Sequence, residues 1–290
     1  MEKTRMLIFK AAVFLAGKRR RWSPFQLLFR LLDTGISAVH SAAVSGTVFT
    51  LQNRCPYTVW PGVLSGNGAG ALGGGGFVLL PNAAASLEAP VGWSGRFWAR
   101  TGCVFNPSGS RGNCSTGDCG GSLGCSGGGA PPVSLAEFTL GGDRDFYDVS
   151  LVDGYNVGVG VSPSPRKAGG DGTCRYAGCL ADLNARCPAE LRVAGETGQT
   201  VACRSACAAF GAPEYCCTGA HSSPATCGPT RYSQMFKSAC PTAYSYAYDD
   251  ASSTCTCPAG TDYVITFCPA AAAAAGGLSH RRPPRLPPPS

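Results

Sequence analysis

Residues 102–125 read GCVFNPSGSRGNCSTGDCGGSLGC, with Cys103, Cys114, Cys119 and Cys125 set among glycines and small polar residues. Glycine lets the backbone turn tightly enough to bring neighbouring cysteines within bonding distance, so this segment reads as a series of stapled short loops. The whole chain carries 17 cysteines, all between Cys55 and Cys268, against three histidines, His40, His221 and His280. A cytosolic glutathione pool would hold so many thiols reduced, which points to an oxidising compartment and a secreted disulfide scaffold. A zinc site needs closed sets of four ligands at finger or ribbon spacing; with so few histidines, neither a metal nor another cofactor is expected.

An odd count leaves one thiol over. Adjacent Cys216 and Cys217 project in different directions and should reach separate partners. Cys255 and Cys257 lie two apart in a strand-like segment, on one face, and compete for the same partner.

The rest of the body is patterned for β structure. Gly46 to Gln52 alternates, Tyr57 to Trp60 is rich in β formers, Arg96 to Arg100 alternates, and Phe146 to Val152 and Tyr155 to Val161 are further runs between glycine and proline turns. Many short strands predict a sandwich or flattened barrel. Residues 174–240 are cysteine-dense, with a short helical pattern around Thr200 to Phe210, and read as a loop-rich lobe. The glycines of ALGGGGF (71–77) lack the lysine and spacing of a phosphate loop and read as a flexible turn. Asn113 begins a glycosylation sequon whose middle residue, Cys114, is expected to be bridged.

Several segments together resemble the thaumatin-like, or pathogenesis-related class 5, proteins of plants. They are QNRCPYTVWPG (52–62), CSTGDCGGSLGC (114–125), LVDGYN (151–156), NARCPAELR (184–192), EYCCTG (214–219), CPTAYSYAYDD (240–250) and TCPAGTDYVITFCP (256–269). The resemblance covers roughly residues 46–269 and departs from the family signature at Ser110, where glycine is expected. It implies a mainly β fold, a sandwich with a disulfide-rich lobe and a small disulfide loop near Cys240 to Cys257. It implies the bridges Cys55–Cys268, Cys103–Cys114, Cys119–Cys125, Cys174–Cys257, Cys179–Cys240, Cys187–Cys203, Cys207–Cys216 and Cys217–Cys227. Cys255 is then the free cysteine, either a buried small hydrophobe or a thiol able to scramble with Cys257.

The chain's net charge of +7 divides unevenly. Residues 1–41 hold 8 basic and 2 acidic side chains, the tail from Ala270 holds 3 basic and none acidic, and residues 42–269 hold 13 basic against 15 acidic. The body is slightly acidic, so nucleic-acid binding has no basic folded face to rest on. Residues 1–45 read as an atypical leader: the apolar runs are broken by Lys10, Arg30 and Asp33, and a cleavage-like end falls near 42–46. Residues 270–290, alanine-rich and then basic and proline-rich, read as a disordered tail, and could serve as a vacuolar sorting signal. No stretch has the 18 or more apolar residues of a membrane-spanning helix.

The acids carry the functional reading. The resemblance implies a cleft lined by an arginine, a glutamate and three aspartates, and the candidates here are Glu137 in LAEFTL, Asp148 in DFYDVS, Asp153 in LVDGYN and Asp249 in YAYDD. The arginine is Arg96 or Arg100, which alternation places on one face with Trp98. Asp148 and Asp153 are five apart, so strict alternation sends them to opposite faces unless a bend intervenes near Val152. Glu137 with Asp148 is therefore the candidate pair. Fixed carboxylates beside aromatic faces can hold a polysaccharide, and two carboxyls at glycosidase spacing can also cut one, with Glu137 as acid and Asp148 as its partner. The expected protein is a monomeric, secreted antifungal defence protein binding fungal-wall β-1,3-glucan in the cleft. A weak endo-β-1,3-glucanase, and an inhibitor of microbial hydrolases or membrane-permeabilising protein, are the alternatives. Serine and cysteine nucleophile schemes lack a partner, since His221 is the one histidine of the body and sits in a polar loop.

Overall fold

The computed structural model describes residues 46–66, 68–164 and 173–270. The expected leader, and the expected tail beyond Ala270, lie outside the described residues. In chain order the strands are β1 (Thr47–Asn53), β2 (Trp60–Ser65), β3 (Ala84–Ala89), β4 (Ser94–Arg100), β5 (Val104–Phe105), β6 (Gly112–Asn113), β7 (Leu135–Thr139), β8 (Arg144–Ser150), β9 (Val159–Pro163), β10 (Ala177–Gly178), β11 (Arg192–Ala194), β12 (Thr200–Cys203), β13 (Cys255–Pro258) and β14 (Tyr263–Phe267). The helices are α1 (Ala206–Phe210), α2 (Pro213–Cys216), α3 (Arg231–Ala239) and α4 (Asp250–Ser253).

Two five-stranded sheets carry the body, in the orders β10-β9-β14-β1-β3 and β13-β8-β7-β4-β2. The second is antiparallel throughout; in the first, β1 and β14 run parallel. Strict alternation in β1 and β14 points Phe49, Leu51, Tyr263, Ile265 and Phe267 inward, all buried. Phe97, Phe138 and Tyr147 of the other sheet meet them. Ring centroids lie 4.7 Å apart for Phe49 with Phe138 and 5.1 Å for Tyr147 with Tyr263, within the range of favourable aromatic pairs. Strand boundaries differ from the sequence pattern in two places. Tyr57 to Val59 precede the strand that begins at Trp60, and the run after Tyr155 becomes a strand only from Val159.

The helical pattern over 200–210 is in fact two elements. Thr200–Cys203 is a strand paired with β11, and the helix starts at Ala206, where the Ser205 hydroxyl accepts from the Ala208 N–H. The longest helix, α3, opens with a reciprocal cap between Thr230 and Ser233. The lobe is pinned to the sandwich by a reciprocal backbone pair between Tyr155 and Cys203, and by Asn184, whose amide donates to the Asn156 carbonyl. The turn at 72–75 winds as a short 3-10 segment in conformations that call for glycine. Gly73, Gly74 and Gly75 all have positive φ, and a Cβ on Gly75 would come within 2.6 Å of the Cys125 carbonyl oxygen.

The same eight bridges close in the structure. Cys217 takes a left-handed conformation (φ 50°), which lets it and Cys216 turn to different partners, Cys227 and Cys207. Cys255 is the free thiol, fully buried on the inner face of β13 and paired across from Tyr147. Burial pushes this thiol up, which suppresses the thiolate needed for exchange, so it behaves as a core hydrophobe. A thiol reagent should label nothing in the native protein and one cysteine per chain after denaturation without reductant. Stoichiometric labelling of the native fold would contradict this.

Candidate functional site

Outward-facing positions of the second sheet align in a row. Arg96 on β4 is registered opposite Glu137 on β7, and Glu137 opposite Asp148 on β8. Directly opposed residues on one face hold their Cβ atoms about 4.5–5.5 Å apart, so the three side chains start as immediate neighbours. Arg96 Nη1 stands 4.0 Å from Glu137 Oε1, with about a quarter and a fifth of the two side chains exposed. The sheet thus presents one cation and two carboxyls side by side, partly open to solvent.

Asp153 joins them through a turn. β8 ends at Ser150, and the Gly154 N–H donates back to the Leu151 carbonyl at 3.0 Å, with Gly154 at φ 96°. This break in alternation brings Asp153 within electrostatic reach of Arg96 and Glu137. A bend near Val152, one of the two outcomes the five-residue spacing left open, is present as this turn.

Burial sets the protonation. It raises the Glu137 carboxyl, a shift opposed by Arg96 and reinforced by Asp153. It raises Asp148 further, well above the ordinary aspartate range, with the charges of Glu137 and Asp250 adding to the effect. Asp153 is raised by burial and lowered by Arg96. Asp148 Oδ1 is buried and finds no hydrogen-bond partner among the described residues, which suits a neutral acid better than a carboxylate.

Two sequence-stated candidates take other places. Arg100 is fully buried and does not reach the open face. Its guanidinium donates to the carbonyls of Trp60 (3.0 Å), Pro61 (3.2 Å), Ser122 (2.8 Å) and Leu123 (2.7 Å), tying the Cys119–Cys125 loop over the sheet. Burial pushes it down to about 10, still cationic at neutral pH. Trp98, on the same face, is covered as well, its indole N–H donating to the Gly117 carbonyl at 2.9 Å. The stapled loops cover this face of β4 at Trp98 and Arg100 and leave Arg96 open. Asp249 is occupied structurally: it pairs with Lys237 Nζ at 2.9 Å and accepts from the Ser245 N–H and hydroxyl. The neighbouring Asp250, which sequence reasoning passed over, is the acid felt by Asp148, and Tyr244 donates its phenol to Asp250 Oδ1 at 2.9 Å. A doublet such as Asp249-Asp250 carries no signal that selects between its members.

Among the described residues no group of three or more His, Cys, Asp or Glu could hold a metal ion, and no helix is long and apolar enough to cross a membrane. A family model described as the Thaumatin family matches residues 53–269. The chain belongs to the thaumatin family. This thaumatin-family chain is 63% identical over 230 residues to pathogenesis-related thaumatin-like protein 3.5 of Cryptomeria japonica, covering 79% of this chain and 92% of that one. It is 62% identical over 229 residues to pathogenesis-related protein 5 of Arabidopsis thaliana, covering 78% and 92%. It is also 51% identical over 247 residues to a protein of Prunus avium named glucan endo-1,3-beta-glucosidase, covering 84% and 97%.

The electrostatics of this thaumatin-family site make a sign prediction. A carboxyl raised on folding binds more protons folded than unfolded, so its contribution to stability falls as pH rises from the ordinary aspartate value, about 3.9, through the raised folded one. Asp148→Asn removes that penalty, and the new amide can donate to Glu137. Its melting temperature should exceed wild type by a few degrees at pH 7, with the gain fading toward pH 4. A difference independent of pH would contradict the assignment.

Proposed function

We propose that this protein is a secreted defence protein that binds β-1,3-glucan of the fungal wall across the Arg96–Glu137–Asp148 row. The observation that carries the reading is that row itself: one cation and two carboxyls, aligned by strand register on a partly open face, with Asp153 and Asp250 beside them. Carboxyls of this kind accept and donate hydrogen bonds to sugar hydroxyls, and Arg96 donates to ring and hydroxyl oxygens. Eight disulfides suit an oxidising compartment, which supports secretion.

A second reading, weak endo-β-1,3-glucanase, is favoured by one feature. Glu137 and Asp148 are directly opposed across β7 and β8, so two carboxyls of unequal acidity stand as cross-strand neighbours, the arrangement a glycosidase pair requires. The roles expected from sequence are then exchanged: Asp148, held neutral, is the acid, and Glu137, beside Arg96, is the partner. The Prunus avium relative's name supports this reading.

Sedimentation with insoluble β-1,3-glucan tests the binding role. Wild type should pellet with the polymer, and the Glu137→Gln, Asp148→Asn double variant should remain in solution. Equal retention of the two would remove the row from the mechanism. Incubation with laminarin separates the readings, since new reducing ends that depend on Asp148 require hydrolysis and their absence leaves binding alone.

A further inference from the structure

Asn113, Cys114 and Ser115 form the only Asn-x-Ser/Thr acceptor triplet of the chain; Asn106 is followed by Pro107 and Ser108, and proline in the middle position bars transfer. The triplet begins in β6, which pairs with β5 as a two-stranded hairpin, Asn113 registered with Val104 and Gly112 with Phe105. Phe105 faces the body, its ring centroid 5.6 Å from the Arg100 guanidinium carbon. Alternation therefore turns Val104 and Asn113 to the opposite, solvent side. Both are exposed, and Val104, at 72%, is the most open large hydrophobic side chain among the described residues. Cys103 and Cys114, each one residue removed from this pair, fall on the inner side with Phe105 and bridge there. A group on the Asn113 carboxamide and the bridge thus occupy opposite faces of the hairpin and can coexist.

The folded hairpin is not itself the acceptor. Asn113 is paired in β6, Cys114 is bridged, the Ser115 N–H donates to the Thr101 carbonyl at 2.9 Å, and the Ser115 hydroxyl donates to the Gly102 carbonyl at 3.4 Å. Transfer needs the asparagine carboxamide and the serine hydroxyl presented together on an unpaired segment, so attachment has to come before the bridge. Cys103 and Cys114 are only 11 apart in sequence, and so short a loop closes readily. Disulfide formation nevertheless takes seconds or longer, comparable with the time the chain spends being made. Two reactions compete for one segment.

We propose that Asn113 carries an N-linked glycan on a fraction of the molecules, a fraction set by the race between transfer and closure of Cys103–Cys114. The inference rests on the secretory reading above. A new bond joins Asn113 Nδ2 to C1 of the first N-acetylglucosamine of a lipid-pyrophosphate-linked oligosaccharide; the C1–O bond breaks, the amide loses a proton and the lipid pyrophosphate leaves. The first sugar then starts beside Val104, whose Cβ lies about 4.5–5.5 Å from that of its cross-strand partner, and covers the apolar side chain that the protein leaves bare.

Intact-mass measurement of the full chain expressed in plant cells, read on both medium and cell extract, tests it. Wild type should show two masses one glycan apart, and a peptide N-glycosidase should merge them, converting the modified Asn113 to aspartate. Asn113→Gln should give the lighter mass alone. Ser115→Thr, a better acceptor, and Cys103→Ser, which removes the competing bridge, should each raise the heavier fraction severalfold. Occupancy is fixed before folding, so the cell extract reports it should Cys103→Ser fail to fold. Wild type secreted at a single unmodified mass, or a heavier form that survives Asn113→Gln, overturns the glycan and leaves secretion standing. A heavier fraction in Cys103→Ser equal to that of wild type overturns the race. Wild type that stays inside the cell with its cysteines reduced overturns the secretory reading and the glycan together.

Discussion

Replacing Cys55 and Cys268 together by alanine is expected to cost about 5 kcal/mol, the largest loss available from any single bridge of this fold. The bridge joins residues 213 apart in sequence, and closing so long a loop removes more freedom from the unfolded chain than any of the other seven bridges does. It also fixes the ends of β1 and β14, the parallel pair at the heart of the first sheet, where Asn53 is registered with Phe267. Unfolding in guanidinium without reductant checks it. A loss under about 2 kcal/mol would show that the sheet, not the cross-link, confines these ends.

Arg100→Ala is expected to cost about 3–5 kcal/mol, because it leaves buried carbonyls of Trp60, Pro61, Ser122 and Leu123 without their donor. The melting temperature should drop by about 10 °C, at roughly 2–4 °C per kcal/mol for a domain of this size. Arg100→Lys should recover only part of this, since one ammonium cannot reproduce the planar fork that reaches both the sheet edge and the loop. Arg96→Ala should do the reverse, weakening glucan retention with little effect on melting. Equal melting of Arg100→Ala and wild type would show that the four carbonyls find other donors and that the guanidinium does not tie the loop down.

These two arginines show how far the sequence reaches. Alternation along Ser94–Arg100 correctly puts both on one face, but a face is defined by strand pairing, and its coverage by segments elsewhere in the chain. The loop that hides Arg100 is the glycine-rich cysteine segment at 119–125, and nothing local to GRFWART reports its approach. Asp153 was legible only as a conditional, since its spacing from Asp148 put it on the opposite face unless a bend intervened, and the structure supplies that bend at Gly154. Asp250 was not legible, because its distinction from Asp249 lies in Lys237 and Ser245 capturing one carboxylate of the doublet. The fold class was plain because alternating apolar residues and turn glycines act locally. The helical pattern over 200–210 was right for Ala206–Phe210 alone: Thr200–Cys203 pairs with Arg192–Ala194, and there tertiary pairing outweighs a short periodic signal.

Strand β14, last in chain order among the described residues, lies between β9 and β1 in the interior of its sheet. While the chain is being synthesised, that sheet therefore has a gap where its inner member belongs, and β1 emerges from the ribosome long before the neighbour it must pair with. Until β14 is made, the sheet cannot close, and its apolar edges stay open to chaperones or to misassociation. Cys55 shares this delay, so for most of translation its thiol must be kept from nearer cysteines.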